Sequence, residues 1–161
     1  MDRIDRALVS ELQRDATRSY AALGQIVGLS AGAAHERVRK LRERGVIRAT
    51  TIDVDPAALD RRVLAYVMVE ANAWMGDSGE ALAALPEIQE AHVIAGAASV
   101  LVKVRTATTE ALQDVLRRIY DIPGVSGTQA IVVLETFFER PVDPGHRDAA
   151  GRDPGQRDSG H

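Results

Sequence analysis

Side chains that can hydrogen-bond to base edges and to phosphates recur at helical spacing between Ser30 and Arg48. Residues 31 to 44, wound at 100° per residue, sort into an apolar face and an opposite face. The opposite face begins with small residues, which allow close approach to base edges, and continues with basic ones that reach bases or phosphates. A helix whose first turn enters the major groove of DNA has this arrangement. The predicted DNA contacts are Ser30, Ala31, Gly32, His35, Arg37, Arg39, Lys40, Arg42 and Arg48.

A short turn positions this helix. Gly28, Leu29 and Ser30 supply a helix C-terminal glycine, an apolar spacer and a helix N-cap. Gly24 sits one turn before Gly28, and because a mid-helix glycine costs about 1 kcal/mol relative to alanine, we expect a close approach of the neighbouring helix there. Upstream, three apolar residues at four-residue spacing predict a first helix that closes the core: Ile4, Leu8 and Leu12. Together these features predict a helix-turn-helix.

The charge distribution separates a basic N-terminal part from an acidic remainder. Residues 1 to 50 hold ten Arg and Lys against six Asp and Glu, residues 51 to 140 hold seven against thirteen, and the whole chain has a net charge of −3. A DNA-binding module followed by a second domain shows this asymmetry. The alternative is a solvated basic helix in an ordinary three-helix unit. The joint occurrence of caps, glycines, two helix faces and a following Val46-Ile47 strand favours DNA binding.

The module ends in a pattern change. Residues 47 to 54 alternate apolar and polar side chains and predict a strand, either a wing or a connector. Asp55-Pro56 then interrupts the pattern. We therefore predict a helix-turn-helix domain at residues 1–54 and a linker at residues 55–62.

An internal repeat with an offset of 37 residues organises residues 63 to 140. The matched pairs include Leu64 with Leu101, Val67 with Val104, Leu82 with Ile119, Pro86 with Pro123, and Ile88 with Val125. Each copy predicts a strand, a helix, a proline-marked turn and a strand, so two copies give an α+β, ferredoxin-like βαββαβ sandwich. The predicted strands are residues 63–71, 88–95, 99–106 and 125–138, and the predicted helices are residues 77–85 and 109–120.

The apolar strand residues of this second domain exceed what one face of a sheet requires. They are Val67, Val69, Val102, Val104, Val132 and Leu134. We therefore predict that sheet packs against sheet in a homodimer. Paired helix-turn-helix units bind roughly palindromic DNA, with half-sites about one helical turn apart.

Several stretches between residues 2 and 140 carry a resemblance to a known family. They are residues 2–6 (DRIDR), 27–30 (VGLS), 36–41 (ERVRKL), 45–47 (GVI), 90–96 (EAHVIAG) and 122–125 (IPGV). In this order and spacing they resemble the Lrp/AsnC family, the leucine-responsive or feast/famine transcriptional regulators. The resemblance implies an N-terminal DNA-binding domain and a C-terminal domain that forms dimers, often assembled to octamers.

The same resemblance implies that an amino acid or related metabolite binds between dimers, near the loop joining the second and third strands. The predicted effector-binding residues are Gly96, Ala97, Ala98, Ser99, Val100 and Thr128. Family members often carry aspartates in this loop, where this chain has Ala97 and Ser99. The Ser99 hydroxyl and the backbone N–H groups around Gly96 can still bind an amino acid. A hairpin turn of small residues without a ligand is the alternative.

Chemistry beyond binding finds little support in the sequence. It contains no Ser-His-Asp arrangement, phosphate-binding glycine loop or metal-ligand spacing, so we predict no catalytic site, no metal and no cofactor. Haem-pathway decarboxylases resemble the Lrp/AsnC family in both domains, which makes an enzyme on the same scaffold the alternative. Its candidate side chains are His92, Lys103, Arg105, Arg117 and Arg118. A second alternative is a ligand-independent, DNA-organising protein.

The composition of the chain predicts its cellular compartment and the character of its C-terminal segment. The chain has no cysteine, no apolar run long enough to span a bilayer, and a charged N-terminus, which together predict a cytoplasmic protein without a membrane partner. We expect Trp74 to cap the core of the second domain. Residues 141–161 are rich in Gly, Pro, Asp and Arg, and they hold too little apolar surface to offset the entropy of ordering. They are predicted to be a disordered tail.

Overall fold

The computed structural model describes residues 1–72 and 78–145. The described residues divide into two compact units, one made of Met1–Ile52 with residues 140–145, the other of the described part of Asp53–Glu139. Trp74, the predicted helix start at Asp77 and residues 146–161 of the predicted tail lie outside the described residues. The predicted domain boundaries stay predictions.

The first unit is built from three helices. They are α1 (Arg3–Arg14), α2 (Tyr20–Val27) and α3 (Ala31–Glu43). Each begins after a residue whose side-chain oxygen accepts a backbone N–H of the first turn: Asp2, Ser19 and Ser30. Gly28 ends α2 in the left-handed conformation, at a φ of 73°. The predicted helix-turn-helix is therefore confirmed.

Gly24 allows the turn after α2 to close. A Cβ added there would lie 2.5 Å from the carbonyl oxygen of Leu29 and 3.1 Å from the backbone of Ser30. The expected close approach therefore exists, but the neighbour is the backbone of the turn rather than the body of another helix. Beneath it, a small core joins the three helices through Leu8, Leu23, Ala34 and Val38.

The strand predicted at residues 47–54 is wrong. These residues have irregular backbone structure, followed by a single 3₁₀ turn at Pro56–Leu59. A strand needs a hydrogen-bonded neighbour, and within the described residues none pairs with this segment. Ile47 packs against the core of the first unit, whereas Ile52 is 79 % exposed. The alternation of apolar and polar residues is present, but the described part of the chain gives the segment no neighbouring strand with which to form backbone hydrogen bonds.

The first residues of the predicted tail run along α1. Arg6 Nη1 donates to the carbonyl oxygen of Pro144 at 2.8 Å, and Gln13 Nε2 donates to that of Val142 at 3.0 Å. Both acceptors are main-chain groups. Composition therefore gave no signal for this contact, because every residue carries such a carbonyl.

The second unit confirms the ferredoxin-like prediction. Its elements are β1 (Val63–Ala71), α4 (Ser78–Ala83), β2 (Ile88–Val93), β3 (Val100–Thr106), α5 (Thr109–Tyr120) and β4 (Val125–Val132). The four strands form one antiparallel sheet in the order β2-β3-β1-β4. The predicted last strand is six residues too long. After Val133 donates its N–H to Leu64, β1 offers almost no further partner, because it begins at Val63.

The apolar residues of the strands lie mostly on one face of the sheet. Val67, Val69, Val102 and Val104 are all buried against the helices, in one core with Leu82, Leu112, Val115 and Ile119. The expectation that these valines divide between two faces is therefore wrong. The opposite face, called here the open face, carries Tyr66, Met68, Leu101 and Ile131 in neighbouring positions of the strand register.

Candidate nucleic-acid interface and effector site

The N-terminal end of α3 is open to a large partner. Ser30 caps the helix and accepts the N–H of Ala33 at 3.2 Å. Ala31 and Gly32 follow in exposed positions, and no atom lies within 4 Å of a Cβ built at Gly32. A duplex can therefore approach the first turn of α3 closely, and the positive end of the helix dipole favours its phosphates.

The outward face of α3, opposite its buried stripe, consists of Gly32, Glu36, Arg39 and Glu43. Arg39 donates from Nε to Glu36 Oε2 at 2.8 Å and from Nη2 to Glu36 Oε1 at 2.7 Å. It also donates from Nη1 to Glu43. The hydrogen bonds from Arg39 lower the pKa of Glu36 from 4.5 to about 2, and they raise the pKa of Arg39. The predicted base-reading arginine is thus ion-paired within its own helix.

Arg37 faces α1 instead of the outward side. Its Nη1 donates to Asp2 Oδ2 at 2.6 Å and to Asp5 Oδ1 at 2.9 Å, and Arg44 Nη2 reaches Asp5 Oδ2 at 3.3 Å. Asp5 is only 6 % exposed. Hydrogen bonds to the two aspartates raise the pKa of Arg37. Arg37 therefore joins α3 to α1. The sequence predicted Arg37 only as a DNA contact and did not predict these ion pairs.

His35 and Arg42 lie beside an aromatic residue that the sequence reasoning did not single out. The rings of His35 and Tyr20 meet edge to face, with centroids 4.6 Å apart, and Arg42 Nη1 lies 3.4 Å from the Tyr20 hydroxyl. The signal for Tyr20 was its position directly after the N-cap Ser19, at the start of the helix that precedes the turn. Lys40 lies 3.5 Å from Glu36, and Arg48 is exposed in the irregular segment after α3.

The loop between β2 and β3 is tied to the end of β1 through Ser99. Its N–H donates to the carbonyl of Val69 at 3.0 Å, its carbonyl accepts the N–H of Ile94, and its hydroxyl lies 3.4 Å from the N–H of Ala71. Gly96 and Ala97 are exposed, whereas Val100 is buried in the core. Ser99 thus has a structural role in this loop.

Thr128 lies on β4 opposite Val69, the β1 residue that also binds Ser99, and lines a cavity of about 350 Å³ between α5 and β4. The cavity is lined by Gln113, Leu116, Arg117, Tyr120, Asp121 and Thr128. The structure does not bring the loop residues 96–100 into this lining. Sequence reasoning named Arg117 only for the enzyme alternative and missed Asp121, although a cation and a carboxylate four residues apart at the end of an amphipathic helix were a visible signal.

The side chains of the enzyme alternative have other partners. Lys103 and Arg105 lie on the open face, each within 3.8 Å of Glu139, and Arg118 pairs with Glu87 at 2.6 Å. Arg117 pairs with Asp114 at 3.2 Å. His92 is exposed on the edge strand β2, 3.3 Å from Glu90. Lys103 also lies 3.3 Å from Glu90. His92, Lys103 and Arg105 are thus joined through Glu90 and Glu139, whereas Arg117 and Arg118 lie on α5 with acidic partners of their own.

Two further properties concern metals and membranes. In residues 1–72 and 78–145, no group of three or more His, Cys, Asp and Glu side chains could hold a metal ion. No helix in that part of the chain combines the length and the apolar character needed to cross a bilayer.

Comparisons with known proteins agree with this architecture. The AsnC-type helix-turn-helix domain matches residues 1–42, and the Lrp/AsnC ligand binding domain matches residues 63–143. The HTH-type transcriptional regulator FL11 of Pyrococcus horikoshii is 39 % identical over 140 residues, 86 % of this chain and 93 % of that protein. The leucine-responsive regulatory protein of Escherichia coli K12 is 36 % identical over 140 residues, 84 % of this chain and 85 % of that protein.

Solved structures give the same result. Escherichia coli AsnC has a TM-score of 0.82 at 31 % identity, covering 89 % of this chain and 99 % of that one. The feast or famine regulatory protein of M. tuberculosis, complexed with L-methionine, has a TM-score of 0.80 at 32 % identity, covering 86 % and 95 %. Since both domains match in the same order, and since the capped turn and the four-stranded sheet are in place, the chain belongs to the Lrp/AsnC family.

Proposed function

We propose that this protein is a transcriptional regulator that binds specific duplex DNA through α3 and changes that binding in response to an amino acid. The observation that carries the proposal is the open first turn of α3, presented by a capped helix-turn-helix. The excess of basic side chains in residues 1 to 50 supports it. The relatives that are named transcriptional regulators support it as well.

In this proposal, affinity and selectivity come from different side chains. Lys40, Arg42 and Arg48 contact phosphates and supply most of the affinity, so binding weakens steeply as salt rises. The small residues Ala31 and Gly32 let the helix backbone approach the base edges. Arg39 contributes to the choice of site.

We propose a homodimer formed through the open face, assembling further to octamers. Apolar residues on and next to that face support this. Tyr66, Met68 and Leu101 are half-buried there, Ile131 is 50 % exposed, and the segment after β4 carries Leu134, 96 % exposed, and Phe137, 88 % exposed. A two-fold pairing gives two α3 helices that fit half-sites about one helical turn apart.

The effector site is proposed to combine the loop at residues 96–100 with the cavity around Thr128. In that cavity, Arg117 suits the carboxylate of an amino acid, Asp121 its ammonium group, and Leu116 an apolar side chain. The family resemblance implies that effectors lie between dimers, near this loop. A ligand there shifts the population between assemblies that place the DNA-binding units differently.

We also propose that the protein is not an enzyme and that it acts in the cytoplasm. The basic side chains of the decarboxylase alternative are engaged by acidic partners, which supports the first statement. The competing function is that of a DNA-organising protein that binds no effector. Titration with amino acids distinguishes it from the proposed regulator.

The experiment is binding of the purified protein to the DNA upstream of its own gene, titrated with salt and with each of the twenty amino acids. Site-selective binding with a steep salt dependence, shifted by one amino acid, is the expected result. Site-selective binding that no amino acid shifts contradicts the effector part alone. No binding to any duplex by intact dimers contradicts the regulator and favours the enzyme.

A further inference from the structure

The centre of the outward face of α3 carries an arginine whose donors are largely engaged. Glu36 holds Nε and Nη2 of Arg39 in a two-point contact at 2.8 and 2.7 Å, and Glu43 accepts from Nη1. A guanidinium has five N–H donors. Three are therefore bound within the helix, and one N–H remains on each terminal nitrogen.

This arrangement changes what Arg39 can bind. A phosphate that approaches Arg39 also approaches the carboxylates of Glu36 and Glu43, which repel it. The base edge of guanine is neutral and offers two acceptors, O6 and N7, to the two remaining N–H groups. On the outward face, the carboxylates of Glu36 and Glu43 outnumber the guanidinium of Arg39. This face therefore adds no net attraction for the DNA backbone, whose proposed contacts Lys40, Arg42 and Arg48 lie outside it.

We propose that Glu36 is a specificity-determining residue of this regulator, which positions Arg39 for a guanine base edge and disfavours its use as a phosphate contact. The proposal rests on the proposed DNA-binding function and deepens it. Glu36 acts through Arg39 and is therefore a positioning residue. Exposed ion pairs add little to stability, whereas a two-point contact fixes orientation, so the effect belongs in DNA selectivity rather than in folding.

The first test compares two affinities of the full-length protein: for a duplex that the wild type selects from random sequence, and for a scrambled duplex of equal composition. Loss of the carboxylate in Glu36→Ala is expected to tighten binding to the scrambled duplex by about threefold and to lower the ratio of the two affinities by on the order of tenfold. Glu36→Gln, which keeps one acceptor oxygen and the side-chain length, is expected to retain part of the ratio.

The matched control is Asp114→Ala. It removes one carboxylate from an exposed pair with Arg117, three residues apart on a helix as in the Glu36 pair, but in the second unit. It changes the net charge by the same amount and, with no amino acid added, is expected to leave the ratio unchanged. An equal change in both variants would make the effect one of total charge and would overturn the proposal.

The second test replaces single guanines of the selected duplex by 7-deazaguanine, which lacks the N7 acceptor. Wild-type protein is expected to lose affinity at one guanine in each half-site, Arg39→Ala to show no loss there, and Glu36→Ala to show a smaller loss. An unchanged ratio for Glu36→Ala, or equal sensitivity of wild type and Arg39→Ala at every guanine, overturns the proposal. A wild-type protein that selects no sequence overturns the DNA-binding function itself.

Discussion

The two units of the molecule hold together by different interactions. In the second unit, aliphatic residues of the sheet and of both helices form one continuous core, from Val67 in β1 to Ile119 in α5. In the first unit the buried cluster is small, and Asp5 adds ion pairs from α1 to Arg37 and Arg44. The DNA-binding unit therefore uses some of its charges for its own stability, whereas the second unit depends on packing.

This difference teaches which basic residues are available for binding. In the first unit a cation can face another helix, a carboxylate of its own helix, or solvent, and these three situations are represented by Arg37, Arg39 and Arg48. A count of positive charges does not separate them. Salt is expected to weaken the ion pairs of the first unit and to leave the core of the second unchanged.

Ile119→Ala is expected to have the largest effect on the free energy of unfolding, and it tests whether packing stabilises the second unit. The side chain is fully buried in the core, so its truncation leaves a cavity and lowers the free energy of unfolding by about 2 to 5 kcal/mol. Urea denaturation followed by circular dichroism measures it. The loss should be the same at low and high salt; a loss below about 1 kcal/mol would show that the core repacks.

Gly24→Ala is expected to have the next largest effect on the free energy of unfolding. A methyl group there meets the backbone carbonyl of Leu29 at 2.5 Å, and the turn must shift, which lowers the free energy of unfolding by about 1 to 3 kcal/mol. Gly32→Ala is the control, because its Cβ meets open space in the same unit and is expected to stabilise the helix by up to about 1 kcal/mol. Equal effects in urea denaturation would contradict the close approach at Gly24.

Asp5→Asn tests the ionic contribution to the first unit. It removes the buried negative charge that Arg37 and Arg44 share and leaves one amide oxygen as acceptor, so the free energy of unfolding is expected to fall by about 1 to 2 kcal/mol at low salt. The difference from wild type should shrink as salt rises, unlike that of the packing variant. A salt-independent difference would mean that Asp5 acts by helix capping or packing alone.

The titration of Glu36 is the smallest effect in energy. Because its pKa is lower in the folded protein than the ordinary 4.5, its ion pair contributes stability above pH 4.5, and that contribution is lost as the pH falls toward about 2. NMR of the side-chain carboxyl should give a midpoint near 2. In Arg39→Ala the midpoint should return toward 4.5; an unchanged midpoint would show that Arg39 does not hold Glu36.

Much of the fold followed from local patterns. Ser19, Ser30 and Gly28 determine the ends of two helices by satisfying backbone groups within one turn, so their residue types were sufficient. The repeat at an offset of 37 residues predicted the succession of strands and helices along the second unit, and β1 and α5 have the predicted bounds. The segment at residues 47–54 failed because a strand depends on a partner strand, which alternation of polarity does not supply.

The candidate site was less predictable. Helical spacing placed Arg37 and Arg39 near the basic side of α3, yet whether each faces DNA depends on the carboxylates around it. Asp2 and Asp5 come from another helix, and Glu36 and Glu43 are one turn away on α3 itself. The intrahelical pairs were visible as i,i+3 and i,i+4 spacings, whereas the pairs with α1 required the packing of the helices.

The sequence by itself determined the family, the helix-turn-helix and the ferredoxin-like topology, because caps, glycines and apolar periodicity act over a few residues. Only the tertiary structure decided which face of the sheet the valines occupy and that Ser99 is tied to β1 while Thr128 lines a cavity. It also decided which arginines are held by aspartates of α1. The physical reason is that burial and ion pairing depend on which elements pack together, and that choice joins residues far apart in the chain.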